Sequence, residues 1–144
     1  TQKYKTVGAT DEVKEGPNYV QVTDNRGTEA GWSLKVKQEG QFKSTSGKEL
    51  TGAAITFKNG NVVTASDSGK PTGPATITLN SDGSQSDVMS AAKGNGAGTY
   101  LFDWGTDATT AAKSIELTVP GSTTKYAEKY ATKLTWTLTD APGN

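Results

Sequence analysis

The chain contains no cysteine and no histidine. Without cysteine it has no disulfide framework, no thiolate metal site and no thiol nucleophile. Without histidine it lacks the commonest general base, the commonest metal ligand and the usual switch near neutral pH. Neither sign of charge is in excess: Lys plus Arg and Asp plus Glu number 15 each, for a formal net charge of zero. A nucleic-acid binder normally carries a basic surplus, so nucleic acid is not expected as a partner. Long apolar runs are missing too. None approaches the ~18 residues of a membrane-spanning helix. No signal-peptide pattern follows Thr1, so if the domain is exported its signal is expected upstream.

What remains is a chain with few large aliphatics and 17 glycines, of which 32% is hydrophobic. Low hydrophobicity marks disorder when it accompanies high net charge. Here the net charge is zero and the apolar residues alternate in an orderly way, which predicts a folded, strand-rich chain. At 144 residues a single domain spanning 1–144 is expected. A chain of this size buries roughly 70% of its unfolded surface and needs no covalent staple.

Period-2 alternation recurs along the sequence. Asn18 to Thr23 alternates at Val20 and Val22, and Asp24-Asn25-Arg26-Gly27 reads as the turn that ends it. In Gly31 to Lys37, Trp32, Leu34 and Val36 share one face while Ser33, Lys35 and Lys37 share the other. Ala53 to Phe57 and Asn61 to Thr64 flank Lys58-Asn59-Gly60, the pattern of a hairpin. Ala75 to Leu79, Thr99 to Trp104, Ser114 to Val119 and Ala131 to Thr139 are further strand candidates. In the last, Leu134, Trp136 and Leu138 fall on one face. A short helical turn is expected only in Ser86 to Ala92, where Val88 and Ala91 or Ala92 have helical spacing. Ser66 to Gly73 and Gly94 to Gly98 read as loops. These elements predict an all-β fold, a β-sandwich of two sheets with Greek-key or Ig-like, non-sequential pairing, long loops and at most one short helical turn.

Catalytic chemistry finds little support. A glycosidase needs two carboxylates about 5–9.5 Å apart with one pKa raised. Asp82, Asp87, Asp103 and Asp107 all lie in turn-like polar contexts. A serine nucleophile would have no histidine partner, and Gly-x-Ser-x-Gly is absent. The Gly94 to Gly98 loop lacks the ending of a phosphate cradle, and no EF-hand loop joins Asp82 to Asp87. No enzymatic activity, cofactor or metal is expected.

Two triplets carry the most specific signal. Trp32-Ser33-Leu34 follows Val22-Thr23-Asp24-Asn25-Arg26-Gly27-Thr28 and Ala30-Gly31, and Trp136-Thr137-Leu138 sits between Leu134-Thr135 and Thr139-Asp140-Ala141-Pro142. Two Trp-x-Leu motifs in these contexts resemble the WxL domain of Gram-positive surface proteins. The stretches Gly52 to Ile55 and Gly98 to Gly105 are family-like as well. The resemblance implies a secreted module attached non-covalently to the cell wall through peptidoglycan. It also implies membership of surface assemblies with co-encoded partner proteins; docking on such a surface protein or on a host matrix protein is the alternative reading. Trp32, Leu34, Trp136 and Leu138 are the binding candidates it supplies. Each Trp also has a plainer reading, because a Trp on the apolar face of a strand is commonly core. Asp24, Asn25 and Arg26 are a candidate polar rim, and Tyr100 with Trp104 a candidate stacking platform. For these the plainer readings are turn-building and packing.

Overall fold

A computed structural model describes residues 2–5 and 13–142. Two short strands, β1 (Gln2–Lys5) and β2 (Val13–Gly16), pair with each other. Then follow β3 (Asn18–Asp24), β4 (Trp32–Gln38), β5 (Lys43–Ser44), β6 (Ala54–Phe57) and β7 (Gly60–Thr64). The second half supplies β8 (Ile77–Thr78), β9 (Gln85–Ala91), β10 (Gly98–Trp104), one helical turn α1 (Ala108–Ala111), β11 (Ile115–Thr118), β12 (Tyr130–Ala131) and β13 (Leu134–Thr139).

The main layers are two antiparallel three-stranded sheets, β3-β10-β7 and β13-β4-β9, with a third, β11-β6-β8, contributing to the same core. Inward-facing Tyr100, Phe102 and Trp104 of β10 meet Trp32, Leu34 and Val36 of β4. Phe57, Ile77 and Leu79 join them. This is an all-β sandwich, as the alternation and turn spacing predict, with no closed barrel among the described residues, and its pairings are non-sequential in all three of these sheets. The expectation for Trp32, Leu34 and Val36 also holds, all three being buried.

Two local expectations need correction. The helical turn predicted in Ser86 to Ala92 is strand β9, and the one described helix starts instead at Asp107, whose side chain caps it by accepting from Thr110 N at 2.7 Å. The cause is a β-bulge: Leu34 opposes Met89 while Lys35 opposes Asp87, so Val88 has no partner across the sheet. The bulge shifts the phase of the strand, so adjacent Val88 and Met89 are both buried and the apolar residues mimic helical spacing.

The second correction concerns Asn59-Gly60. It is a corner between sheets and not a hairpin, because β6 pairs with β11 and β8 whereas β7 pairs with β10. Asn59 takes positive φ (57°) and is held by its amide donating to Ser114 Oγ at 3.0 Å. Gly60 is required for a different reason. A Cβ there would lie 2.6 Å from the Phe102 ring and 2.8 Å from the Pro74 carbonyl oxygen. In β11 the apolar residues Ile115 and Leu117 are both exposed.

Candidate functional site

The two Trp-x-Leu strands are neighbours. β13 runs antiparallel to β4, with Leu138 opposite Leu34 and Trp136 opposite Val36. Identical parity puts all four on the same face of the sheet. Their burial nevertheless differs greatly. β4 is central in its sheet, and Trp32 and Leu34 are 2% and 7% exposed. β13 is an edge strand, and Trp136 and Leu138 are 39% and 55% exposed. Trp136 is therefore packed only in part, its ring leaning on Trp104 with centroids 6.2 Å apart, and Leu138 is largely exposed.

Trp32 is fixed from both sides. Its indole Nε1 donates to Gly96 O at 2.9 Å, and its ring meets Tyr100 at 6.3 Å. Gly96 has positive φ, and a Cβ there would come within 2.6 Å of that indole nitrogen. Tyr100 and Trp104 are themselves buried, 0% and 2% exposed. Tyr100 donates its hydroxyl to Ala97 O at 3.0 Å, while Trp104 packs on Phe57 and Phe102. Neither ring offers a face on which a ligand could stack, so packing is what the geometry gives them.

The edge strands β3 and β13 leave a seam between the two sheets. A cleft of about 530 Å³ opens there, lined by Val22, Thr23, Asp24, Asn25, Arg26, Trp32, Leu138, Thr139 and Asp140. Residues far apart in sequence, from the first turn and from both triplets, thus meet at one place. Leu34, Trp136, Tyr100 and Trp104 do not line it.

A charged hook forms the cleft wall. Asp24 closes the turn by accepting from Arg26 N at 3.1 Å, and the guanidinium returns side-on, Nε to Oδ1 at 2.9 Å and Nη2 to Oδ2 at 2.8 Å. Nη2 also donates to Gly31 O at 2.9 Å, which ties the turn to the start of the Trp32 strand. The Asp24 side chain is 5% exposed and that of Arg26 38%. Hydrogen bonds from the Arg26 side chain and backbone, with its charge, hold the Asp24 carboxyl down to about 2. The side-chain hydrogen bond to Asp24, with the charges of Asp24 and Asp140, in turn raises the Arg26 pKa. Arg26 Nη1 and the Asn25 side-chain amide, both at the cleft, make no hydrogen bond among the described residues.

Thr139 and Asp140 are cleft residues that motif reading missed. Their place follows from pairing that no local pattern shows: β13 returns beside the Trp32 strand, so the residues just past Leu138 arrive at the turn that precedes Trp32. A second depression, about 590 Å³, lies on the polar outer face around Ser33, Lys35, Asp87 and Ser90. There Lys35 and Asp87 pair at 3.1 Å. It lacks the combination of apolar motif side chain and free guanidinium donor found in the seam.

Three of the four carboxylates considered for catalysis have structural partners. Asp82 accepts from Ser84 N at 2.8 Å, Asp87 pairs with Lys35 and Asp107 caps α1. Asp103, half-buried, has its pKa raised by desolvation alone. Among the described residues no acidic cluster could hold a metal ion, and no helix is long and apolar enough to cross a membrane.

Neither a curated protein nor a solved structure matches the chain significantly. One family model does, that of the WxL domain, described as surface cell wall-binding, and it matches residues 1–142. The chain belongs to the WxL family of surface cell wall-binding domains.

Proposed function

We propose that this domain attaches non-covalently to peptidoglycan, outside the cell, through the seam cleft, and performs no catalysis. The observation that supports the reading most directly is the convergence of the Asp24–Arg26 hook, the end of the Trp32 strand and exposed Leu138 on one cleft. Its chemistry suits a polymer of N-acetylated sugars and short peptides. Arg26 Nη1 suits carboxylates and carbonyls, Asp140 suits hydroxyls and amines, and Leu138 offers apolar contact to an acetyl methyl or a sugar face. Each contact is weak and partly solvated, so firm attachment to a wall rests on many copies meeting many repeats.

The direct test is co-sedimentation of the purified chain with sacculi stripped of protein and secondary polymers. The wild type is expected to pellet. Leu138→Asp alters a side chain already 55% exposed, so it should fold, as near-UV circular dichroism would show, and stay largely in the supernatant. A folded wild type that fails to pellet would sink the peptidoglycan reading. Docking on a co-encoded surface protein or a host matrix protein would then take its place, a reading that exposed Trp136 and Leu138 favour.

A further inference from the structure

The free edge of β13 is unusual in three ways that point to one occupant. First, it is unprotected. Leu134 to Thr139 contains no charge, no proline and no bulge, the devices that normally keep a sheet edge from pairing. No described strand pairs with its outer side.

Second, its hydrogen-bonding groups can be assigned. Glu39 N donates to Lys133 O at 2.9 Å, which marks Lys133 and Glu39 as a hydrogen-bonded pair of the β4–β13 ladder. Alternation along an antiparallel ladder then turns the backbone groups of Thr135, Thr137 and Thr139 toward β4. Those of Leu134, Trp136 and Leu138 point outward, away from the sheet.

Third, the edge is a palindrome: Leu134-Thr135-Trp136-Thr137-Leu138 reads the same in both directions.

We propose that a second copy of this chain pairs antiparallel with β13 about a two-fold axis at Trp136. Leu134 then faces Leu138 of the second copy, Trp136 faces its own equivalent, and Thr135 faces Thr137. The register brings together the three residues on each strand whose N–H and C=O groups point outward. It also places the partly exposed Trp136 and Leu138 against matching apolar side chains, while the threonines meet on the polar face. A two-fold contact requires such self-complementarity. A palindromic apolar–threonine strand provides it without reference to any other protein, and a chain with a net charge of zero does not repel its own copy. The product is a continuous six-stranded sheet, β9-β4-β13 joined to the same three strands of the second copy. The added contact is small beside the ~1,200 Å² of an ordinary stable interface, so the association is expected to be weak and concentration-dependent.

Sedimentation velocity on the full chain, from micromolar to near-millimolar protein, should show a reversible monomer–dimer equilibrium. Leu138→Lys, folded by near-UV circular dichroism, should weaken it by about tenfold, because each dimer contains the altered pair twice. Register is tested by cysteine pairing, which is clean in a cysteine-free chain. A mixture of Thr135→Cys and Thr137→Cys chains should cross-link under mild oxidation far more than either chain alone, since only the mixture sets the two thiols directly opposite. A wild type that stays monomeric at the highest concentration overturns the proposal and leaves the edge to a strand from another protein. A dimer that the mixture fails to cross-link overturns the register. Neither readout involves the wall, so failure here and failure of peptidoglycan attachment are separate results.

Discussion

The three tryptophans have unequal roles. Trp32 is enclosed and hydrogen-bonded, so Trp32→Ala is expected to cost about 3–5 kcal/mol. Trp136 already shows 39% of its surface to solvent, and its truncation should cost roughly half as much. Urea unfolding of the two variants checks the order. Trp104 is a different case. Its Nε1 is buried without a partner among the described residues, whereas that of Trp32 donates to Gly96. Trp104→Phe removes an orphan donor while Trp32→Phe removes a satisfied one, so the Trp104 variant should be the milder of the two. The Asp24–Arg26 hook makes a prediction in pH. With the folded carboxyl lowered from 3.8 to about 2, the unfolded chain binds a proton in that window more readily than the folded one. The contribution is therefore complete above the ordinary carboxylate pKa and disappears as pH falls through about 2. In acid titrations of stability, the advantage of the wild type over Asp24→Asn should be constant at mildly acidic pH and shrink toward the lower value.

At the level of elements, period 2 located most strands to within a residue or two, because inward and outward faces see different solvents along β3, β4 and β10. It failed where geometry breaks the period. The Val88 bulge put two buried residues side by side and made β9 read as a helix. Asn59-Gly60 has the composition of a hairpin turn, yet it steers the chain from one sheet to another. Nothing in a dipeptide reports which strands its flanks will pair with. The Gly60 prediction is sharp: Gly60→Ala should destabilise strongly through the Phe102 ring and the Pro74 carbonyl. Gly40→Ala, where an added Cβ meets nothing within 4 Å, should be neutral or slightly stabilising because the unfolded chain loses freedom. Thermal melts of the two variants would show opposite or clearly separated shifts. The exposed pair Ile115 and Leu117 illustrates a further limit, since period tells which residues share a face but not what covers that face.

For the whole molecule, the family was legible from two triplets and their contexts, while the site was only partly so. Asp24, Asn25, Arg26, Trp32 and Leu138 are named by motif reading and do meet in the cleft. Thr139 and Asp140 required the pairing of β13 with β4, and the contrast between Trp32 and Trp136 required knowing which strand is central and which is an edge. Strand order is a property of long-range contacts, and no local pattern encodes it. That same pairing has a consequence for assembly. β3 binds β10 through Asp24 and Gly98, and the Trp32 strand binds β13 through Ser33 and Thr139. A chain emerging N-terminus first, from a ribosome or through a pore, holds its first Trp strand without its neighbour β13 until Leu134–Thr139 has passed. Such distant closures slow folding. The C-terminal triplet acts as the final stave of the sandwich, and refolding of a chain cut before Leu134 should stall short of the native core.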